Sequence, residues 1–160
     1  MQQGMYERLA SLFESAIPFS RFLGMRVAKI ESGLAVVEIP FRDELIGNPL
    51  LPSLHGGVVS SLLDTCGGVA VWSQIGRSDR ISTVDLRVDY LRPGRPELLI
   101  GRGLVLRLGN RVGVAELTAY HPGAEDEPIA VGTGVYNIRR AQPGEAARLW
   151  KLANNLSRKT

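Results

Sequence analysis

Apolar residues recur at helical spacing from Tyr6 to Ala16. Leu9, Leu12, Phe13 and Ile17 share one side, and Pro18 closes the segment. From Phe22 onward the chain becomes strand-like. The turn Glu31-Ser32-Gly33 interrupts it, and Leu34 to Ile39 is rich in β-branched residues, which predicts a hairpin from about Met25 to Pro40. Phe41 to Leu54 is broken by Gly47, Asn48, Pro49 and Pro52. It reads as a loop with no structure of its own, and loops of that length are often functional. Gly56 to about Ile75 predicts one long helix. Val58, Val59, Leu62, Leu63, Cys66, Val69 and Ala70 form a broad apolar arc, and Ser60, Ser61, Asp64, Gly67 and Gly68 form a narrow arc of small residues around one acid. A helix apolar over most of its surface belongs in an interior.

Four strand candidates follow: Ile81 to Leu91, Glu97 to Leu108, Arg111 to Tyr120 and Ile129 to Ile138. The turn-forming stretches between them are too short for helical crossovers, which predicts an antiparallel meander. Pro143 to Leu156 reads as a terminal helix. The expected architecture is α+β: a curved antiparallel sheet wrapped around one long central helix. Six strands leave an edge, and pairing sheets across a dimer is one way to manage it.

Composition narrows the function without naming it. With 160 residues and 44% hydrophobic content, the chain suits a single domain with an ordinary core. There is no apolar run long enough to span a membrane, and the first residues lack a signal-peptide pattern, so the expected location is the cytoplasm. The lone Cys66 cannot form an internal disulfide, and no Cys/His cluster suggests a metal. Net charge is +3, with arginine well ahead of lysine. Scattered arginines fit a phosphate-bearing small molecule better than nucleic acid, which calls for a concentrated basic patch.

The chemistry centres on His55-Gly56-Gly57 and Asp64. Two glycines at the start of a buried helix let a ligand atom approach the unpaired N–H groups of the first turn, where the helix dipole is positive. Aimed at a carbonyl oxygen, those donors form an oxyanion hole, with the Gly57 N–H expected as the main donor. Asp64 follows His55 by nine residues, about 13 Å along a helix, too far for both to meet one reacting carbon. Two antiparallel copies of the helix would solve this. Ser60, Ser61, Gly67 and Gly68 would permit the close approach, and the site would be shared between subunits. His121, in a turn before Pro122, reads as structural. Cys66, Trp72 and Trp150 read as core or interface residues.

The segment from His55 to Asp64 resembles the signature of hotdog-fold thioesterases of the PaaI-like (phenylacetic acid degradation) type. Ser82 to Pro93, Arg107 to Val112 and Gly132 to Tyr136 resemble later strands of that family, so the likeness covers roughly residues 20 to 140 of one hotdog domain. The resemblance implies that Gly57 polarises a thioester carbonyl and that Asp64 of the partner subunit acts as general base or nucleophile. It gives His55 a part in shaping the turn and assisting the leaving thiol. It assigns Asn48 to positioning water or thioester, with a plain turn role as the other reading, and places Thr83 near the carboxylate. It sets Gly56, Tyr90, Leu91 and Arg92 along the pantetheine arm and phosphates, and Arg107 and Arg111 near the nucleotide. The implied activity is hydrolysis of an aromatic or medium-chain acyl-CoA by a homodimer or homotetramer. Coenzyme A enters as part of the substrate, with no metal or other cofactor. Two other readings stay open: a non-catalytic acyl-CoA-binding module, and a hotdog dehydratase or hydratase.

Overall fold

The structure, a computed structural model, describes residues 2–76 and 78–142; the expected helix from Pro143 to Leu156, with Trp150, lies outside them. The amino-terminal helix α1 spans Gln2–Ser11 and runs into a π-helical turn, Leu12–Ala16. Pro18 does not end the helical region. It sits at the first position of a second short helix, α2, Pro18–Leu23, where the missing proline N–H costs nothing. The strand-like character expected from Phe22 therefore begins later. Gly24, at φ 69°, closes α2 in the left-handed conformation that glycine adopts without strain.

Strands β1 (Arg26–Glu31) and β2 (Leu34–Ile39) form the expected hairpin. The segment after it is more ordered than its sequence suggests. A 3-10 turn, Asp43–Leu45, leads into a miniature hairpin of β3 (Ile46–Asn48) and β4 (Ser53–Leu54). The long helix α3 spans Gly56–Trp72, and four strands follow: β5 (Arg80–Tyr90), β6 (Leu99–Leu108), β7 (Val112–Tyr120) and β8 (Ala130–Arg139).

The six-stranded sheet runs β1-β2-β6-β7-β8-β5, with every neighbouring pair antiparallel. The last four strands are thus not a simple meander. β6, β7 and β8 are, but β5 leaves the long helix and lands at the far edge beside β8. Helix α3 lies across the concave face and packs on β2, β6, β7 and β5. Its Val59, Leu62, Leu63 and Cys66 join Val37, Ile39, Leu99, Leu117 and Tyr136 in the core. Contact between helix and sheet is close enough that a Cβ on Gly103 of β6 would lie 2.6 Å from the Cys66 backbone. Among the described residues no helix is long and apolar enough to cross a membrane.

The two sheet edges differ. On β1, the Val27 N–H donates to Glu14 Oε1 at 2.6 Å, so the amino-terminal segment caps that edge. Phe13 packs edge-to-face on Trp72, with ring centroids 5.8 Å apart, and ties the same segment to α3. At the other edge β5 pairs, among the described residues, only with β8, leaving an 11-residue strand with one side open there. Long open edges invite pairing with another strand.

Asp79 ties the entry to β5 to the exit from β8. Its carboxylate accepts hydrogen bonds from the Gly76 N–H (2.9 Å), the Ala141 N–H (2.9 Å) and Arg140 Nη1 (2.7 Å). Burial pushes its pKa up, but the Ala141, Arg140 and Gly76 bonds outweigh it and hold the carboxyl below its ordinary value. A depressed carboxyl pKa contributes stability above the unfolded-state value, about 3.9, and that stability is lost as pH falls through the lower folded value. Asp79→Ala is expected to cost about 1–3 kcal/mol by urea unfolding near neutral pH, because it removes the carboxylate that accepts three hydrogen bonds. The gap from wild type should narrow as pH drops below about 4.

Candidate active site

The start of α3 is built by four separate segments. His55 is its N-cap, in extended conformation (φ −66°, ψ 133°). The His55 N–H donates to the Leu45 carbonyl at 2.8 Å, and the Leu54 N–H donates to the Gly94 carbonyl at 2.9 Å. Gly47 leaves the space that His55 occupies, since a Cβ there would sit 2.7 Å from His55 Cα. Tyr90, at the end of β5, donates its hydroxyl to the Gly56 carbonyl at 2.9 Å. The first turn of the helix is therefore fixed by the 3-10 turn, the β3–β4 hairpin, the β5–β6 connection and the β5 terminus together.

The donor expected from sequence is not the open one. The Gly57 N–H donates to His55 Nδ1 at 2.9 Å, so the histidine ring caps its own helix. A ring nitrogen that accepts carries no proton, which places the single proton of the neutral imidazole on Nε2. The Gly56 N–H, one residue earlier, has no hydrogen-bond partner among the described residues. The Gly57 N–H, expected as the open donor, is thus taken up by the cap. Gly56 presents the unpaired amide at the positive end of the helix, and Gly57 completes the cap. The cause is local geometry: an N-cap side chain reaches the second or third amide of a helix and cannot bend back to the first.

Asp64 lies half-buried on α3. Its Oδ1 accepts a hydrogen bond from Thr83 Oγ1 of β5 at 2.8 Å, while Oδ2 has no partner among the described residues. Burial pushes the Asp64 carboxyl above its ordinary pKa, and the Thr83 bond works against that rise. Thr83 reaches the helix because β5 bulges at Val84, between the register pairs Thr83–Tyr136 and Asp85–Val135. Directly across from Thr83, Tyr136 of β8 donates its hydroxyl to the Asp64 main-chain carbonyl at 3.1 Å. The sequence offered a weak sign of this tyrosine: Gly132, Gly134 and Tyr136 share one face of the strand, two glycines leading to one large ring.

Asp64 follows Gly56 by eight residues, about 12 Å of helix axis, so one chain cannot bring both to the same carbon. Gly67 and Gly68 do not line the open face beside Asp64, as their spacing suggested. They turn inward, where a Cβ on Gly67 would meet the Tyr136 hydroxyl at 2.1 Å and one on Gly68 would meet Ile81 at 3.4 Å. Ser60, Ser61 and Thr65 remain at least partly accessible beside the acid. The Ser60 and Ser61 hydroxyls donate to the Gly57 carbonyl, and Thr65 donates to the Ser61 carbonyl. Their polarity is satisfied within the helix.

The remaining candidates scatter. Asn48 Oδ1 accepts from the Leu50 and Leu51 amides at 3.0 and 3.3 Å, which makes it the cap of the β3–β4 turn. Tyr90 and Leu91 are exposed, and the Leu91 and Arg92 amides donate to the Ile129 carbonyl. The Arg92 side chain pairs with Glu127 at 3.1 Å on the surface. Arg107 and Arg111 belong to the β6–β7 hairpin, where Gly113 meets Val71 near the carboxy-terminal end of α3. Within one chain they stand at the opposite end of the helix from Gly56. His121, which the sequence reads as structural, is buried: the Arg95 N–H donates to its Nε2 at 2.8 Å, and its Nδ1 lies 2.9 Å from the Leu98 carbonyl. Among the described residues no group of three or more His, Cys, Asp or Glu is placed to share a metal ion.

Residues 51–127 match the family profile described as thioesterase superfamily. The chain is 36% identical over 143 residues to the medium/long-chain acyl-CoA thioesterase YigI of Escherichia coli K12, covering 81% of this chain and 91% of that protein. The YigI of Salmonella typhimurium is 35% identical over 144 residues, with the same shares covered. Among solved structures, a protein from Shewanella oneidensis related to the thioesterase superfamily superposes with a TM-score of 0.76 at 34% identity, covering 85% of this chain and 96% of its own. A thioesterase family protein from Silicibacter pomeroyi gives a TM-score of 0.76 at 26% identity, covering 85% and 99%.

Proposed function

Because this chain belongs to the thioesterase superfamily and is a hotdog-fold thioester hydrolase, we propose that it cleaves medium- to long-chain acyl-CoA to free acid and CoA at a site shared by two copies. The acyl class rests on YigI, the relative whose name specifies its substrate. The observation that carries the shared site is the distance within one chain. The unpaired Gly56 amide and the Thr83-held Asp64 carboxylate are separated by two turns of one helix. The open edge of β5 supports the same reading, since antiparallel pairing of two such edges across a two-fold axis would set two α3 helices side by side.

In this reading the thioester oxygen rests on the Gly56 N–H of one copy, aided by the dipole of α3. Asp64 of the other copy uses its free Oδ2 to take a proton from water as the water oxygen attacks the carbonyl carbon. The negative charge that develops on the carbonyl oxygen is met by the amide. Collapse of the tetrahedral intermediate breaks the C–S bond, and the CoA thiolate leaves and is protonated. His55 Nε2–H stands beside the same helix start as a proton donor for that sulfur. Tyr90, Leu91 and Arg92 follow the pantetheine arm toward the phosphates, and Arg107 and Arg111 extend from the other copy toward the nucleotide. Asn48 acts through the turn it caps. The chemistry calls on no metal or other cofactor.

Thiol release from a panel of acyl-CoAs tests the proposal directly. Turnover that rises with fatty acyl length is expected. Turnover confined to aromatic acyl-CoAs would overturn the acyl assignment, and a fully active monomer by analytical ultracentrifugation would overturn the shared site.

Thr83 offers a test by pH. Its hydroxyl donates to the carboxylate and favours the charged form, so its loss raises the Asp64 pKa further above the ordinary value. A general base works only when ionised. The acid limb of the kcat/KM profile of Thr83→Ala is therefore expected to move to higher pH than in wild type. An unmoved limb would separate Thr83 from the reacting group.

A further inference from the structure

We propose that Tyr136 is a positioning residue for the Asp64 carboxylate, forming with Thr83 a cross-strand pair that grips Asp64 at two points. The inference rests on the reading of Asp64 as the reacting acid, and it adds a residue that the motif around His55 does not contain. Thr83 and Tyr136 are register partners on the neighbouring strands β5 and β8. Thr83 holds the side chain through Oδ1 at 2.8 Å. Tyr136 holds the main chain of the same residue through its carbonyl at 3.1 Å. A carboxylate on a helix has two sources of freedom, its own χ angles and the rotation or slide of the helix over the sheet. The threonine restrains the first and the tyrosine the second.

The tyrosine sits in a socket built for its hydroxyl. A Cβ on Gly67 of α3 would lie 2.1 Å from that oxygen, and a Cβ on Gly134 of β8 would lie 2.4 Å from it. Two elements thus give up side-chain volume at the one place where the hydroxyl meets the helix. The residue is almost fully buried, at 1% exposure. Burial and the nearby Asp64 charge both push its pKa up, so the group stays protonated and acts as the donor. The Asp64 carbonyl already has a helical partner one turn on. Its second lone pair is what the tyrosine uses, so the bond adds a lateral tether without being needed to satisfy the backbone.

Tyr136→Phe tests this, because it keeps the ring, removes the tether and leaves no buried group unpaired. Kinetics of wild type, Tyr136→Phe, Asp64→Asn and the double variant are compared on one acyl-CoA, with urea unfolding of each. Tyr136→Phe is expected to lower kcat about tenfold while KM changes less than about twofold. In the Asp64→Asn background the residual kcat is expected to be unaffected by Tyr136→Phe, although the stability change persists, because coupled residues are not additive. Wild-type kcat in Tyr136→Phe would overturn the inference. An equal fold loss in both backgrounds would overturn it too, since the loss would then be general damage. Full activity in Asp64→Asn would instead remove the reading beneath it, and that result is visible without any Tyr136 variant.

Discussion

Asp64→Asn is expected to lower kcat by about two to four orders of magnitude while leaving KM near its wild-type value. The amide keeps the shape of the carboxylate and still accepts the Thr83 hydroxyl through one oxygen. It cannot take a proton from water. Since the loss falls on a step reached only after binding, it belongs in kcat. The variant is also expected to be at least as stable as wild type near neutral pH. Half-burial pushes the Asp64 carboxyl pKa up, so the native state holds its charged form at a cost that is relieved as pH falls through the raised folded value. Asparagine removes that charge at every pH. Steady-state thiol release and urea unfolding of the same sample check both halves. Activity within twofold of wild type would end Asp64's candidacy.

Gly56→Pro is expected to lower kcat by about 10²–10³-fold, the usual consequence of deleting one oxyanion donor. Proline removes the N–H, and its Cβ would meet the Tyr90 ring at 3.4 Å, an ordinary contact. Gly56 is the first residue of α3, where proline is tolerated, and His55 before it already has the extended conformation that a following proline requires. The Gly57 cap on His55 is untouched. Far-UV circular dichroism should therefore match wild type while turnover collapses. If Gly56→Pro kept full activity, the open amide would have no part in the reaction.

The two variants together test the shared site. Each alone spoils both sites of a dimer. In a mixed dimer, the Gly56 of the Asp64→Asn copy meets the Asp64 of the Gly56→Pro copy, which restores one site of two. Co-refolding equal amounts should recover about a quarter of wild-type activity, since about half the dimers are mixed if pairing is random. No recovery in verified mixed dimers would mean that both groups act from one chain.

The family was legible in the sequence because its marks are local. Gly56 to Trp72 carries nearly no charge and repeats with helical period, so its burial follows from composition. The strands alternate or are β-rich, and turn formers bound them. His55, Gly56, Gly57 and Asp64 stand at a spacing that places them on one helix whatever surrounds it. The resemblance places Thr83 near the carboxylate, and the Thr83 hydroxyl donates to Asp64 Oδ1.

What was missed depends on residues far apart in the chain or on the reach of a single side chain. Pro18 stops a helix or starts one, and only the path of Ile17 decides which. The place of β5 beside β8 comes from closing a sheet around α3, and no periodicity within β5 specifies its neighbour. The facing of Gly67 and Gly68 is settled by the Tyr136 ring that fills the space they leave, 69 and 68 residues further along the chain. The choice between Gly56 and Gly57 as open donor turns on where one imidazole nitrogen lands. Hydrophobic period determined the elements of this protein and the motif's place on them. Tertiary packing decided which amide stays free and what holds the acid, because hydrogen bonds over a few ångströms depend on side-chain positions that residue types alone do not specify.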